Sequence, residues 1–295
     1  MTFYLLALSI LCVFPYCKVS FIKQPLWLWL MALTVICGFI ESHLNITGLV
    51  AIGLYVALYL GALHLKSPIT RIISTIFFIV SSLVLAIHLV PGFYNLPVVI
   101  NELITPDAIP YTLYANLDKG MAGLFVCAYF FSMNKTAIKK DVNNDINNDI
   151  KVKVTQPVII ILSTILATLI VALMSGIVNF YPKVPNFWLA FIAINLLFTC
   201  VAEEALFRGV LQTKLSQLIT PTRLKILAPI LIACVFALAH FMGGLSYIAV
   251  AAVAGFGYGY IFYKTQRLEW AILCHWLVNV CHFFLFTYPM IGKVL

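Results

Sequence analysis

Glu203 and Glu204 stand side by side in a stretch with little other charge, Phe198-Thr199-Cys200-Val201-Ala202-Glu203-Glu204-Ala205-Leu206-Phe207-Arg208-Gly209. Apolar residues lead into it from Phe187 and continue through Leu211. Further on, His240 closes Phe236-Ala237-Leu238-Ala239-His240, and His275 and Asn279 stand one helical turn apart in His275-Trp276-Leu277-Val278-Asn279. A carboxylate pair, two histidines and an asparagine, spread over three apolar helices, provide a base, proton carriers and hydrogen-bond donors. At mid-bilayer a charged side chain costs roughly 2.5–3.5 kcal/mol, so Glu203, Glu204 and Arg208 would together cost about 8–10 kcal/mol without partners. Such groups must face a protein interior or a water-filled cavity, and they default to function. Glu204 and Arg208, four apart, share a helical face and can pair. Glu203 lies about 100° round the helix from Glu204 and must find its partner elsewhere. His282 has no polar companion at helical spacing and reads as a packing residue, and Asn279 taken alone would read as interhelical glue.

The elements that must position these side chains are set by composition. Of the 295 residues 63% are hydrophobic and 9% charged, with a mean hydropathy of +1.05. A soluble domain carries about 25% charged residues, so this chain could not cover its own surface in water. Apolar runs fall at about 2–17, 25–40, 47–65, 69–90, 111–133, 157–180, 186–211, 224–243, 245–263 and 268–288. Each is near the length of a helical span, and a helix satisfies its own backbone groups in lipid. The expectation is an all-α, polytopic transmembrane helical bundle of about ten spans. It divides into an N-terminal membrane half (1–133, about five spans), a flexible cytoplasmic linker (134–156) and a C-terminal core (157–290).

Charge placement orients the bundle. Lys18 and Lys23 follow the first run, Lys66 and Arg71 the third, and Lys135, Lys139, Lys140, Lys151 and Lys153 the fifth. Lys214, Arg223 and Lys225 follow the seventh, and Lys264 and Arg267 the ninth, so fourteen of the eighteen basic residues gather on one side. The positive-inside rule makes that side cytoplasmic and puts both termini outside a multi-pass protein of the cell membrane. Phe3–Tyr16 has no basic residue ahead of it and reads as a short first span, not a signal peptide. The polar stretch with its Asn-Asn-Asp-Ile repeat, Asn143 to Ile150, reads as linker. Between Pro91 and Pro110 the apolar patch Leu96 to Ile104 suggests a short interfacial helix.

Charge placement and cysteine placement weigh against a nucleic-acid partner and against a cysteine-built framework. The net charge of +8 is explained by topology clusters, which argues against nucleic acid as a partner. The eight cysteines sit mostly in apolar runs with no C-x-x-C pair, which fits neither a disulfide framework nor a zinc site.

The order Glu-Glu-x-x-x-Arg, then Phe-x-x-x-His, then His-x-x-x-Asn, on separate late spans, resembles the type II CAAX prenyl endopeptidase family, whose bacterial members are also called CPBP or Abi intramembrane proteases. The resemblance covers roughly Pro157 to Tyr288. The N-terminal half, including Pro91 to Lys119, is similar to an extension found in some bacterial members. The resemblance implies that Glu203 and His240 activate a water for attack on a peptide carbonyl, that His275 and Asn279 form the oxyanion hole, and that Glu204 and Arg208 support the site. It also implies an intramembrane endopeptidase whose substrates are membrane-associated peptides or proteins, prenylated CAAX-type ones among them. The residue chemistry agrees, since hydrolysis needs a positioned base and preorganised donors for the developing oxyanion.

The scheme needs no cofactor. Zinc is the alternative, because two histidines and a carboxylate suit it, although the H-E-x-x-H spacing is absent and no cysteine joins the set. The competing function is a membrane transporter, or a bacteriocin-immunity binding protein, using the same buried charges. One count conflicts with a shared site: His275 lies about seven residues, and His240 about sixteen, from the cytoplasmic ends of their runs. That is a depth difference of roughly 13 Å, to be closed by tilt or by a kink at Pro229.

Overall fold

Each of the ten apolar runs contains a helix, and turn chemistry sets where several begin and end. The computed structural model describes residues 1–17, 19–22, 24–134 and 150–292. Helix α1 (Thr2–Val13) stops at Phe14, whose extended backbone is the one favoured ahead of Pro15. The two-residue strands β1 (Ser20–Phe21) and β2 (Gln24–Pro25) pair before α2 (Leu26–Ile40). Asn45 caps α3 (Ile46–His64) by accepting from Gly48 N–H, and α4 (Pro68–Ala86) opens on proline, where a missing N–H costs nothing.

After β3 (Leu96–Glu102) and β4 (Tyr111–Ala115) come α5 (Leu117–Met133), α6 (Ile150–Met174) and the long α7 (Trp188–Leu218). The chain ends with α8 (Leu227–Leu238), α9 (Gly244–Thr265) and α10 (Leu268–Leu285). Among the described residues six helices are long and apolar enough to cross a membrane: α3, α4, α6, α7, α9 with its leading turn, and α10. The chain is therefore a mostly helical, multi-pass membrane protein. The other four runs form α1, α2, α5 and α8, of 12, 15, 17 and 12 residues. Each is shorter than any of those six, so among the described residues six helices and not ten reach crossing length.

Two expected local structures are replaced. Leu96 to Ile104 is not an interfacial helix: Leu96–Glu102 is a strand paired with Tyr111–Ala115. The β-branched Val98-Val99-Ile100 opposite a Tyr-Thr-Leu-Tyr run explains the preference. Of the expected linker, 135–149 lie outside the described residues, whereas Ile150 onward is already helical.

The described residues form two compact units. The first comprises Met1–Pro97, Tyr114–Asn147 and Leu197–Leu206, and the second Val98–Leu113, Asn148–Leu196 and Phe207–Leu295. In the first unit α5 is the central helix, with α1, α3 and α4 packed on it and α2 on α1. From Leu117 to Phe131 every residue of α5 except Lys119 is buried. Phe125 meets the rings of Trp27, Tyr55 and Tyr59 edge to face, and Tyr55 stacks on Phe78. In the second unit α9 packs against α6, α8 and α10. Asp107 Oδ2 accepts from Asn179 Nδ2 (2.9 Å) and Thr287 Oγ1 (2.8 Å), tying the loop after β3 to the end of α6 and to the C-terminal tail.

Candidate active site

Glu203 and Glu204 stand on an irregular helix. Val201–Glu204 is four residues of α-helix between two π-helical stretches, Asn195–Cys200 and Ala205–Gln212. π-Helical turns are rare and frequently mark functional positions. Glu204 is fully buried, while Glu203 keeps 18% of its side chain exposed.

The partner that Glu203 requires is supplied by α5. Lys119 Nζ donates to Glu203 Oε1 at 2.8 Å, within the range of charge-assisted hydrogen bonds, and Lys119 is itself only 15% exposed. Two glycines make the approach close. A Cβ on Gly120 would lie 2.5 Å from Phe198 Cδ1, and one on Gly123 would lie 2.8 Å from both Cα and Cβ of Ala202. The head of α5 is held by a buried carboxylate, Asp118, which accepts from His88 Nδ1 (2.8 Å), Asn95 Nδ2 (3.1 Å) and the Lys119 N–H (2.9 Å).

In the second unit His240, His275 and Asn279 line one cavity, together with Thr168, Tyr258 and His282. The cavity offers about 80 Å³ to the centres of water-sized occupants. A single water needs roughly 10–15 Å³ on that measure, so several fit. The depth conflict posed by residue counting does not keep the two imidazoles apart. His240 directly follows a helix of only 12 residues and precedes a single 3₁₀ turn, Phe241–Gly243, so its run does not cross as one full-length helix.

Each member has a defined hold. His240 Nδ1 donates to the Phe236 carbonyl at 2.8 Å; a carbonyl only accepts, so Nε2 is left as the ring's other proton-transfer atom. Asn279 Nδ2 donates to Asn195 Oδ1 at 3.2 Å, and Trp276 Nε1 donates to Ile192 O at 3.1 Å, which together fasten α10 to the start of α7. His275, 5% exposed, stacks on Tyr258 with centroids 4.5 Å apart and planes at 12°. Arg208 is fully buried, donates from Nη2 to Gly255 O (2.8 Å), and sits over the rings of Phe236 (4.7 Å) and Tyr258 (5.4 Å). His282 Nε2 donates to the Thr287 carbonyl at 3.1 Å.

Four contributors were not anticipated: Lys119, Asn195, Tyr258 and Thr168. Lys119 carried a signal, being a cation inside the apolar run 111–133. Thr168 is buried, and its Oγ1 has no hydrogen-bond partner among the described residues, whereas Thr164 one turn earlier bonds back to Ile160 O as helical threonines do. Its identity within an apolar helix gave no warning of this. Among the described residues no group of three or more His, Cys, Asp or Glu side chains is arranged to hold a metal ion.

No curated protein and no solved structure matches the chain. Residues 185–281, the stretch that carries Glu203, His240, His275 and Asn279, match the family described as Type II CAAX prenyl endopeptidase Rce1-like.

Proposed function

We propose that this protein is an intramembrane endopeptidase that hydrolyses peptide bonds of membrane-associated proteins or peptides, prenylated CAAX-type substrates among them. The observation that carries the reading is a cavity lined by His240, His275 and Asn279, three residues that all fall in the segment that matches the family. The protein would sit in the cell membrane with both termini outside.

In this mechanism Glu203 and His240 orient a water and take its proton as the oxygen attacks the carbonyl carbon. A C–O bond forms and the carbonyl electron pair moves onto oxygen, where His275 and Asn279 donate to it. Collapse breaks the C–N bond, and the abstracted proton passes to the departing amine. One water is consumed and nothing is oxidised or reduced. Glu204 and Arg208 hold the surrounding helices. No cofactor takes part, and zinc is the alternative that the assay must separate.

The test uses the full chain in lipid vesicles with a fluorescence-quenched farnesylated CAAX peptide and its unprenylated counterpart. Glu203→Gln and His240→Ala are expected to lose at least about a hundredfold in turnover, and Asn279→Ala about ten- to a hundredfold. EDTA should leave the rate unchanged. Full activity in the Glu203 and His240 variants would refute the mechanism, and loss of activity in EDTA with recovery on zinc addition would replace it with metal chemistry.

A further inference from the structure

The N-terminal half lies outside the stretch that matches the family, yet it supplies the cation bonded to Glu203. A carboxylate at membrane depth is costly to keep ionised and must be both compensated and held in one orientation to act on a water. Lys119 Nζ meets both needs, with its hydrogen bond of 2.8 Å to Oε1 and more than four-fifths of each side chain removed from solvent. A surface ion pair of this kind would contribute little, whereas a mostly buried one is strongly coupled to its surroundings.

The placement of Lys119 is over-determined by the residues around it. Leu117 N–H donates to Asn95 Oδ1 at 2.7 Å, and Asn95 in turn donates to Asp118, so the first turn of α5 is pinned by the chain that precedes it. Gly120 and Gly123 then bring the α5 backbone against Phe198 and Ala202 on the same helix as Glu203. The lysine stem therefore starts from a fixed point and its ammonium has little freedom to leave the carboxylate.

We infer that Lys119 is a positioning residue for Glu203, so that the site is incomplete without the N-terminal half. This rests on the protease reading above. Lys119 acts through Glu203: it holds the carboxylate charged and aimed, and it need not touch substrate.

The experiment uses the full chain in vesicles and the farnesylated quenched peptide. Lys119→Met, which keeps the stem and removes the charge, is expected to lower kcat at least tenfold with KM changed less than about threefold, and Lys119→Arg to return kcat to within about fivefold of wild type. Thermal unfolding supplies a readout that does not depend on cleavage. Lys119→Met should lower Tm by several degrees in the wild-type background and should cost markedly less when Glu203 is already glutamine, because the pair is then broken. The inference is overturned if Lys119→Met turns over within threefold of wild type, if the arginine variant is no better than methionine, or if only KM rises, which would make Lys119 a substrate contact. Additive Tm losses overturn the coupling itself. A wild-type chain that cleaves no probe overturns the protease reading instead; a coupled thermal cycle would then leave the pair as a purely structural link.

Discussion

Replacing Arg208 with methionine tests how a buried guanidinium supports the imidazole of His275. Arg208 has no exposed surface, donates to Gly255 O at 2.8 Å, and stands 4.7 Å from the Phe236 ring centre and 5.4 Å from that of Tyr258. Tyr258 in turn is the surface on which His275 lies flat. Methionine has a comparable stem but neither donates to the carbonyl nor carries charge over the rings. The lost hydrogen bond to a charged group is worth about 1.5–3 kcal/mol. The lost desolvated cation–π contacts add about 2 kcal/mol. Together they reach roughly 3–5 kcal/mol, the range found when one member of a buried charged network is removed. At about 2–4 °C per kcal/mol, Tm should fall by roughly 6–20 °C. Because Tyr258 loses a face of its packing, kcat for the peptide probe should fall more than KM rises. Arg208→Lys keeps the charge but not the planar fork and should lie between the two. Thermal unfolding of the purified protein and steady-state cleavage measure both effects. A methionine variant within about 2 °C of wild type, with unchanged kcat, would show that Arg208 does not support the site.

Gly123→Ala should push α5 from Ala202 by roughly 1 Å to restore ordinary carbon contacts, costing about 1–3 kcal/mol and lengthening the Lys119–Glu203 bond; a Tm equal to wild type would contradict the close approach. Asn195→Leu removes the acceptor that holds Asn279 and should lower kcat about tenfold with KM little changed, read by the same cleavage assay. Burial pulls Lys183 from 10.5 to about 8, with Asp107 opposing, so the unfolded chain binds this proton more tightly than the folded one. Stability should therefore rise as pH increases from about 8 toward 10.5, and thermal unfolding of Lys183→Met across that interval should lack the rise.

Much of the protein's class was legible in its residues. A chain this apolar can only be stable in lipid, and the positions of ten helices follow from runs bounded by Pro15, Pro25, Pro68 and polar turns. Glu203, Glu204, His240, His275 and Asn279 stood out because polar side chains at membrane depth are expensive and so demand a use. Helix length was harder to read: the run containing His240 looked like a full span, but only 12 residues of it are α-helix, since local turns end the helix without any change in hydropathy. The Val-Val-Ile patch was misjudged for a related reason, because a short apolar stretch has the same composition as a strand or a helix until its pairing partner is known.

What no sequence count could supply is which polar groups meet. Spacing along one helix identifies residues on a common face, as for His275 and Asn279 on α10, which both line one cavity. It says nothing about Lys119 reaching Glu203 from 84 residues away, or about Asn195 accepting from Asn279 and Trp276 bonding to Ile192 O across equally long separations. These contacts depend on how closely two helices approach, and that is set by the absence of side-chain atoms at Gly120 and Gly123 and by ring packing around Phe236 and Tyr258. Residue types thus determined that buried charges would need partners, and tertiary packing decided which partners they found, because only the folded chain brings distant backbones within hydrogen-bond reach.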